Sequence, residues 1–277
     1  MIEPSAEEYS VESTQPLTIE QAIANLRSSD LSLRYYAAWW LGRFRVSSTE
    51  SVDALIAALE DEADRTELGG YPLRRNAARA LGKIGNERVV PALIKCLECS
   101  DFYVREAAAQ SLEMLRDPNA ATPLMQLLEG GVAAAIQVPG RPHLTQPYEA
   151  VLEALGAIGA TEAIPLIQPF IEHPVPRVQC AANRAMYQLA KDPQYGERLV
   201  KVLDNSNLQL RRVALGDLGA IGYVAAADAI ANATVENSFK LIALKGLLES
   251  QLNDEESKAL SLSDDAIRVI NLMDSLL

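Results

Sequence analysis

An aromatic cluster near the amino terminus is the strongest chemical signal in the sequence. The stretch LRYYAAWWLGRF, residues 33–44, holds five aromatic residues, including both tryptophans, in a chain that is only 5% aromatic. On a helix at about 100° per residue, two alanines and Leu41 form one face, which must be buried, while Tyr36, Trp39 and Arg43 lie opposite. Large aromatic side chains that point away from the core suit a flat, conjugated, anionic ligand or a protein partner.

A structural role is the alternative for part of this cluster. Aromatic residues near the end of a repeat stack often cover an exposed core, and we expect that role for Phe44 and for Trp40. Tyr36 and Trp39 fit it poorly, because they lie on the face opposite the core.

The remaining chemical motifs are weak. Cys96 and Cys99 form a C-x-x-C inside an apolar helix without a second ligand pair, so we expect them and Cys180 to be core thiols. His143 and His173 lack clustered carboxylates and are predicted neither as ligands nor as catalytic bases. The sequence has no phosphate-binding glycine loop and no nucleophile elbow, so no metal site and no catalytic residue is predicted.

Composition narrows the class of protein. With 277 residues and 49% hydrophobic content, the chain is long enough to bury a stable core. The formal charge of −12 and the pI near 4.7 oppose binding to nucleic acid or to anionic membranes. No apolar run is long enough to span a membrane, and the acidic amino terminus is unlike a signal peptide. We therefore predict a cytoplasmic protein with reduced cysteines.

A repeat of about 31 residues positions these side chains. In each repeat an anchor residue, usually basic, is followed by a small residue three positions later and by a large apolar residue seven positions later. The anchors are Arg34, Arg74, Arg105, Tyr148, Gln179, Arg211 and Lys240. Second apolar helices such as SVDALIAALED alternate with the anchored ones. The pattern predicts an all-α protein, a right-handed α-solenoid of about seven HEAT-like helix pairs over residues 17–252, with an extra helix at each end.

Two terminal segments lie outside this repeat. Residues 1–16 are acidic and polar, and we expect a tail that is disordered or bound to a partner. Residues 253–277 are predicted to form a linker and a capping helix that begins after Ser263. Thr18 with Gln21 predicts a capping box at the start of the first helix.

The anchor arginines have a structural interpretation. In each of two repeats an aspartate precedes the anchored helix, and we expect Arg34 to pair with Asp30 and Arg105 to pair with Asp101. Both arginines are therefore excluded as ligands.

Two intervals between anchors are about ten residues longer than the rest. The surplus lies in residues 62–72 and 129–147, which we call the first loop and the second loop. Since both precede an anchored helix, they are predicted to emerge on the same edge, two units apart. Insertions of this kind often carry function in repeat proteins, and the alternative is that they are tolerated surface loops.

The same register predicts which side chains of the next helices face away from the core. The positions equivalent to Tyr36, Trp39 and Arg43 are Asn76, Arg79 and Lys83, then Ala107, Gln110 and Met114, then Ala150, Glu153 and Ala157. They predict a groove that is aromatic and basic at its amino-terminal end and lined by small and apolar side chains further on.

The blocks DLSLRYYAAWWLGRF, ELGGYPLRRNAARALGKIG and ENSFKLIALKGLL resemble the E-type subunits of the E/F-type phycobiliprotein lyases. The resemblance covers roughly residues 17–252. It implies a cyanobacterial-type cytoplasmic subunit that forms a heterodimer with an F-type subunit. Such a lyase attaches phycocyanobilin, its substrate, through a thioether to a cysteine of the apo-phycocyanin α subunit, and can run in reverse. No permanently bound cofactor is implied.

This chemistry gives the predicted groove a ligand. A bilin is an open-chain tetrapyrrole with two propionates, so it requires aromatic walls, basic partners and an acid near the pyrrole nitrogens. The candidate bilin-binding residues are Tyr36, Trp39 and Trp40 as walls, Arg43, Arg79 and Lys83 for the propionates, and Glu149 or Glu153 for the pyrrole N–H groups. The attacking thiol would belong to the acceptor protein, which explains why this chain shows no nucleophile constellation.

Two alternatives remain open at this point. The chain could be the E-type subunit of a phycoviolobilin isomerising lyase, whose isomerase motif would lie on the partner. It could also be a scaffold or chaperone for phycobiliprotein assembly without catalytic activity, with the aromatic residues forming a protein interface.

Overall fold

The chain folds as a stack of helices in a computed structural model, which describes residues 17–253 and 262–277. The helices are α1 Ile19–Asn25, α2 Leu31–Arg43, α3 Thr49–Ala58, α4 Pro72–Ile84, α5 Val90–Cys96, α6 Phe102–Leu115, α7 Ala121–Gln126, α8 Gly131–Ala134, α9 Tyr148–Ile158, α10 Ile164–Ile167, α11 Pro176–Ala190, α12 Pro193–Val202, α13 Leu208–Ile221, α14 Ala227–Asn232, α15 Asn237–Asn253 and α16 Asp264–Asp274. The described residues contain no sheet, and their β pairing is limited to an isolated bridge between Gln137 and Leu144. The predicted all-α class is confirmed.

Two layers of helices form the stack. The anchored helices α2, α4, α6, α9, α11, α13 and α15 pack side by side in chain order and form the inner layer. The helices α3, α5, α7, α10, α12, α14 and α16 form the outer layer. The predicted seven helix pairs are thus confirmed. The extra helix predicted at the carboxyl end is present, because α16 follows the last anchored helix and packs against α14 and α15.

The predicted helix starts are confirmed at both ends of the solenoid. Thr18 and Gln21 form a reciprocal capping box at α1, and the Ser263 side chain accepts a hydrogen bond from the Ala266 amide at α16. The predictions for the tail, residues 1–16, and for the linker up to residue 261 concern residues that lie outside those the structure describes.

The anchor side chains hold the end of the preceding helix. The last carbonyl groups of a helix have no partner within the helix, so a basic side chain that reaches them satisfies orphan acceptors. The donations run from Arg34 to the Leu26 carbonyl, Arg74 to Asp61, Arg105 to Cys99, Gln179 to His173, Arg211 to Asn205 and Lys240 to Ala231. Six of the seven anchor residues therefore join their inner helix to the segment before it, and Tyr148 on α9 is the exception.

The predicted pairing of Arg34 with Asp30 and of Arg105 with Asp101 is wrong. Asp30 and Asp101 instead cap their own helices, and their carboxylates accept hydrogen bonds from the Ser32 amide at 2.8 Å and from the Tyr103 amide at 2.9 Å. The free amides of the first helical turn lie closer to the carboxylate than the arginine does, so they take its hydrogen bonds. The structural role of both arginines stands.

Glycines at one repeat position let neighbouring inner helices approach closely. A Cβ atom added at Gly42 would lie 2.7 Å from the Ala80 Cα, and one added at Gly156 would lie 2.7 Å from the Ala185 Cα. Such distances are far below van der Waals contact, so the backbones of α2 with α4 and of α9 with α11 are in direct contact. The inner layer depends on these glycines.

We predict that Gly156→Ala lowers the free energy of unfolding by about 1–3 kcal/mol, because the new methyl group overlaps the α11 backbone. Gly216→Ala is the matched control, since Gly216 is exposed on α13 with no atom within 4 Å of an added Cβ. It should gain up to about 1 kcal/mol from helix propensity. Urea unfolding of both variants checks this, and equal stabilities would contradict the close approach.

Candidate functional site

The aromatic cluster divides between two faces of α2 as predicted. Leu41 is fully buried, whereas the side chains of Tyr36 and Trp39 are each 49% exposed. Their rings stack with centroids 5.6 Å apart and planes at 29°. Arg43 is exposed on the same side of the helix. The result is a stacked aromatic pair beside a cation on the surface of the inner layer.

Trp40 and Phe44 behave differently from each other. Trp40 is half-buried and packs against the core, as its predicted capping role requires. Phe44 contacts the Trp40 ring at 5.0 Å between centroids, but it is 61% exposed and does not cover the core. The capping prediction for Phe44 was therefore wrong.

Basic residues continue this surface onto α4. Lys83 is exposed, and Arg79 is half-buried with its guanidinium 3.9 Å from the Glu106 carboxylate on α6. We call the surface formed by Tyr36, Trp39, Arg43, Arg79 and Lys83 the open face.

The predicted groove has fewer lining residues on α6 and α9 than the repeat register suggested. Ala107 and Ala150 were expected to line it, but they are buried, at 0% and 3% exposure. The helices α6 and α9 pack against each other and against their other inner neighbours, and this contact covers both alanines. The assignment of these two positions to the groove was wrong.

A charged cluster lies where four consecutive inner helices meet. The Arg184 guanidinium on α11 is 3.7 Å from the Glu153 carboxylate on α9 and 3.4 Å from the Asp217 carboxylate on α13, and it also contacts Glu113 on α6. Three carboxyl groups thus surround one cation.

Burial controls the protonation of this cluster. The side chain of Glu153 is 23% exposed and that of Asp217 is 4% exposed. Loss of hydration raises the pKa of Glu153 to about 8 and that of Asp217 to about 6, although the charge of Arg184 opposes both shifts. Burial therefore favours the protonated form of Glu153.

Sequence reasoning found one member of this cluster and missed the others. Glu153 was proposed from its helix position, but Arg184 and Asp217 lie in other repeats. The sequence feature that could have revealed these two residues was a charged side chain next to the buried positions of an anchored helix.

Glu149 lies one helical turn before Glu153 and has different surroundings. Its carboxylate accepts a hydrogen bond from the Arg177 Nε at 2.9 Å, and the pair is partly exposed. The two candidate glutamates thus differ in their surroundings, since Glu153 shares Arg184 with two other carboxyl groups whereas Glu149 has Arg177 as its ion-pair partner.

The two loops lie on the same edge of the solenoid, and they touch. The Arg141 guanidinium of the second loop donates a hydrogen bond to the Leu68 carbonyl of the first loop at 3.4 Å. They precede α4 and α9, which are two units apart as predicted, and they touch because both fold over the start of α6, which lies between them.

The start of α6 holds each loop by one side chain. The Asp101 carboxylate accepts a hydrogen bond from the Tyr71 amide at 2.8 Å, where the first loop ends. Arg105 donates to the Thr145 carbonyl at 3.0 Å and to the Gln146 side chain at 2.9 Å, where the second loop ends. We call the two loops together with residues 101–105 the loop edge.

Three side chains for which the sequence predicted no binding role meet at the loop edge. The His143 imidazole stacks on Phe102 with centroids 4.1 Å apart and planes at 10°, and Tyr103 stands edge-on to both rings. The available signal was the Phe-Tyr pair after Asp101 together with a histidine in the second loop. Among the candidate bilin-binding residues, Glu149 lines a cavity beside this cluster.

The cysteines lack the surroundings of a nucleophile. Cys96 and Cys180 are buried, and burial raises the pKa of each thiol to about 12. The core role predicted for both is confirmed, while Cys99 is half-buried. In the part of the chain that the structure describes, no group of three or more metal-ligating side chains occurs and no helix is long and apolar enough to cross a membrane.

Comparisons with known families agree with the repeat architecture. The family described as HEAT repeats matches residues 71–137 and 147–219, and the family described as PBS lyase HEAT-like repeat matches residues 33–61.

Individual proteins match over nearly the whole chain. The phycocyanobilin lyase subunit alpha of Nostoc sp. (strain PCC 7120) is 77% identical over 277 residues, which is 100% of each chain. The bilin biosynthesis protein PecE of Mastigocladus laminosus is 48% identical over 243 residues, which is 87% of this chain and 85% of PecE. A solved structure, the complex of CpcE and CpcF of phycocyanin lyase from Nostoc sp. PCC7120, contains a chain that matches with a TM-score of 0.89 and 75% identity, over 99% of this chain and 100% of that one.

The charged cluster predicts a pH-dependent stability. Between pH 4.5, the ordinary pKa of glutamate, and about 8, folded Glu153 keeps a proton that the unfolded chain has released, so stability falls as pH rises. Glu153→Gln stays neutral and should lose this decline, which is clearest between pH 7 and 8, where Asp217 is largely ionised.

Unfolding by urea across this pH range measures the difference. The gap between Glu153→Gln and the wild type should grow by up to about 1.4 kcal/mol per pH unit, the limit for one proton. The exposed Glu87 supplies the control, and Glu87→Gln should follow the wild type. A wild-type pH dependence in Glu153→Gln would show that Glu153 is ionised throughout.

Proposed function

Since the chain belongs to the family of phycocyanobilin lyase alpha subunits, we propose that it is one subunit of a heterodimeric bilin lyase. The proposed enzyme attaches phycocyanobilin through a thioether to a cysteine of the phycocyanin α subunit, and can detach it. The observation that carries this function is 77% identity to a phycocyanobilin lyase alpha subunit over the full length of both chains. The proposed partner is a CpcF-type subunit, because the similar CpcE chain was solved in a complex with CpcF.

The proposed reaction depends more on how the pigment and the thiol are positioned than on catalytic groups of the enzyme. The thiol of the acceptor cysteine adds to the vinylic carbon of ring A, so a C–S bond forms, the S–H bond breaks and the pigment takes up the proton. Nothing is oxidised or reduced. An enzyme accelerates such an addition by holding pigment and thiol in register and by excluding competing additions.

The open face has the properties that a bilin requires. Tyr36, Trp39 and the exposed edge of Trp40 are the proposed walls for the conjugated rings, and Arg43, Arg79 and Lys83 are the proposed partners of the propionates. Arg43 and Lys83 are exposed and free to reorient toward a carboxylate. Tyr36 and Trp39 already stack on each other, so their side chains lose little conformational freedom when a ligand binds.

The two candidate glutamates take separate roles in this proposal. Protonated Glu153 is the proposed acid, which donates a proton to a pyrrole nitrogen or to the carbon framework of the pigment and makes the bilin more electrophilic. Glu149 accepts hydrogen bonds from pyrrole N–H groups, in exchange for or beside its contact with Arg177.

Identity favours phycocyanobilin over the isomerising alternative. PecE matches at 48%, well below the 77% of the phycocyanobilin lyase subunit. The proposed location is the cytoplasm, because three free cysteines suit a reducing compartment.

Reconstitution tests the function directly. We expect the chain, a CpcF-type partner, phycocyanobilin and apo-phycocyanin α subunit together to yield a coloured band that survives denaturing electrophoresis. Leaving out either lyase subunit should abolish it. A complete mixture without covalent product would indicate a scaffold, and a product with the absorption of phycoviolobilin would indicate the isomerising lyase.

A pair of substitutions on α2 separates binding from folding. Trp39→Ala should leave the unfolding midpoint close to the wild type and weaken pigment binding by about 1–3 kcal/mol, or about 5- to 150-fold in Kd, because one wall is lost. Leu41→Ala should cost about 2–5 kcal/mol of stability through a core cavity while the folded fraction binds pigment normally. If Trp39→Ala instead destabilised the fold as much and left binding intact, the aromatic pair would be structural.

A further inference from the structure

Two cavities lie side by side along the loop edge. Their volumes are about 490 and 440 Å³, and both fall in the range of roughly 300–1,000 Å³ that small-molecule sites occupy. Phe102, Tyr103 and His143 line both of them. The aromatic cluster is therefore a wall shared by two adjacent cavities, which we call the first and the second cavity.

This wall is fixed in place by contacts on each side. His143 stacks on Phe102, and its Nδ1 lies 2.8 Å from the Leu144 carbonyl. A carbonyl oxygen only accepts, so Nδ1 carries the hydrogen and Nε2 of the neutral ring is left as an acceptor. A planar ligand could lie against a stacked pair of this kind without displacing it.

The second cavity is lined by an arginine whose hydrogen-bonding capacity is incompletely used. The Nε atom of Arg75 is buried and has no hydrogen-bond partner, and the guanidinium lies 6.0 Å above the Tyr103 ring. Arg141 lines the same cavity. The Asp101 carboxylate lies there too, but it already accepts hydrogen bonds from the Tyr71 and Tyr103 amides. A carboxylate on a ligand would satisfy Arg75.

The first cavity adjoins the open face. Glu106 lines this cavity and contacts Arg79, which belongs to the open face. Glu149 and Arg177, which pair with each other, line it as well. A ligand bound at Arg79 therefore has the first cavity beside it, and the shared aromatic wall lines that cavity.

We propose that the loop edge binds one end of the bilin, with conjugated rings against Phe102 and His143 and a propionate on Arg75. This rests on the proposed function, which supplies the pigment. A planar, conjugated dicarboxylate matches an aromatic wall, a half-buried arginine whose Nε has no hydrogen-bond partner and two adjoining cavities. The loops are then part of the pigment site, and the site extends from the open face onto the edge of the solenoid.

Equilibrium titration with phycocyanobilin tests this on the full chain in complex with its CpcF-type partner, followed by pigment absorbance. Arg75→Gln and His143→Ala should each raise Kd about tenfold or more, the scale of a lost charged hydrogen bond or aromatic contact. Arg75→Lys keeps the charge and should restore part of the affinity. Arg88→Gln removes an equally long cation that pairs with Asp53, away from the loop edge, and should bind as the wild type does.

The outcomes separate the two proposals. If the wild-type complex attaches pigment to apo-phycocyanin α subunit while Arg75→Gln and His143→Ala both keep the wild-type Kd, the loop edge is no pigment site and the proposed function stands. If the wild-type complex neither binds nor attaches phycocyanobilin, the proposed function fails, and the loop-edge proposal fails with it. Circular dichroism of each variant shows whether a weaker affinity reflects unfolding. A folded Arg75→Lys variant that binds no better than Arg75→Gln also counts against the proposal.

Discussion

Direct backbone contact between neighbouring inner helices is the constraint on which the structure depends. At Gly42 and Gly156 there is no room for even a methyl group between one inner helix and the next. This contact sets the spacing of the repeats, and the spacing decides which side chains of separate repeats meet. Glu153 and Asp217 reach Arg184 from helices on either side of it because the layer is packed this tightly.

The same layer also positions the loops. Asp101 and Arg105 at the start of α6 hold the ends of the first and second loops by hydrogen bonds to backbone and side-chain atoms. Residues that maintain the solenoid therefore also shape the candidate site. In the proposed function the chain would contribute an ordered surface of aromatic rings, cations and one acid, and the acceptor protein would supply the nucleophile. This division fits a reaction in which orientation is the main requirement.

Sequence periodicity was sufficient for the repeat, the helix caps and the exposure of Tyr36 and Trp39, because these depend on contacts within one helix pair. It was insufficient for contacts between repeats. The burial of Ala107, the Arg184 cluster and the meeting of the loops depend on helix spacing and loop conformation, which a periodic pattern does not encode. The wrong partner assigned to Arg105 is another kind of error, because the sequence already contained the information needed to avoid it. Orphan carbonyls at the preceding helix end were a foreseeable acceptor, and the nearby aspartate was already required as a cap.

The most direct test of the account is an experimental structure of the chain with its CpcF-type partner and phycocyanobilin bound. The account predicts pigment density that runs from Arg79 on the open face to the wall formed by Phe102 and His143, with propionate oxygens within hydrogen-bond distance of basic side chains of this chain. Pigment held by the partner alone, or seated on the outer layer of the solenoid, would contradict it.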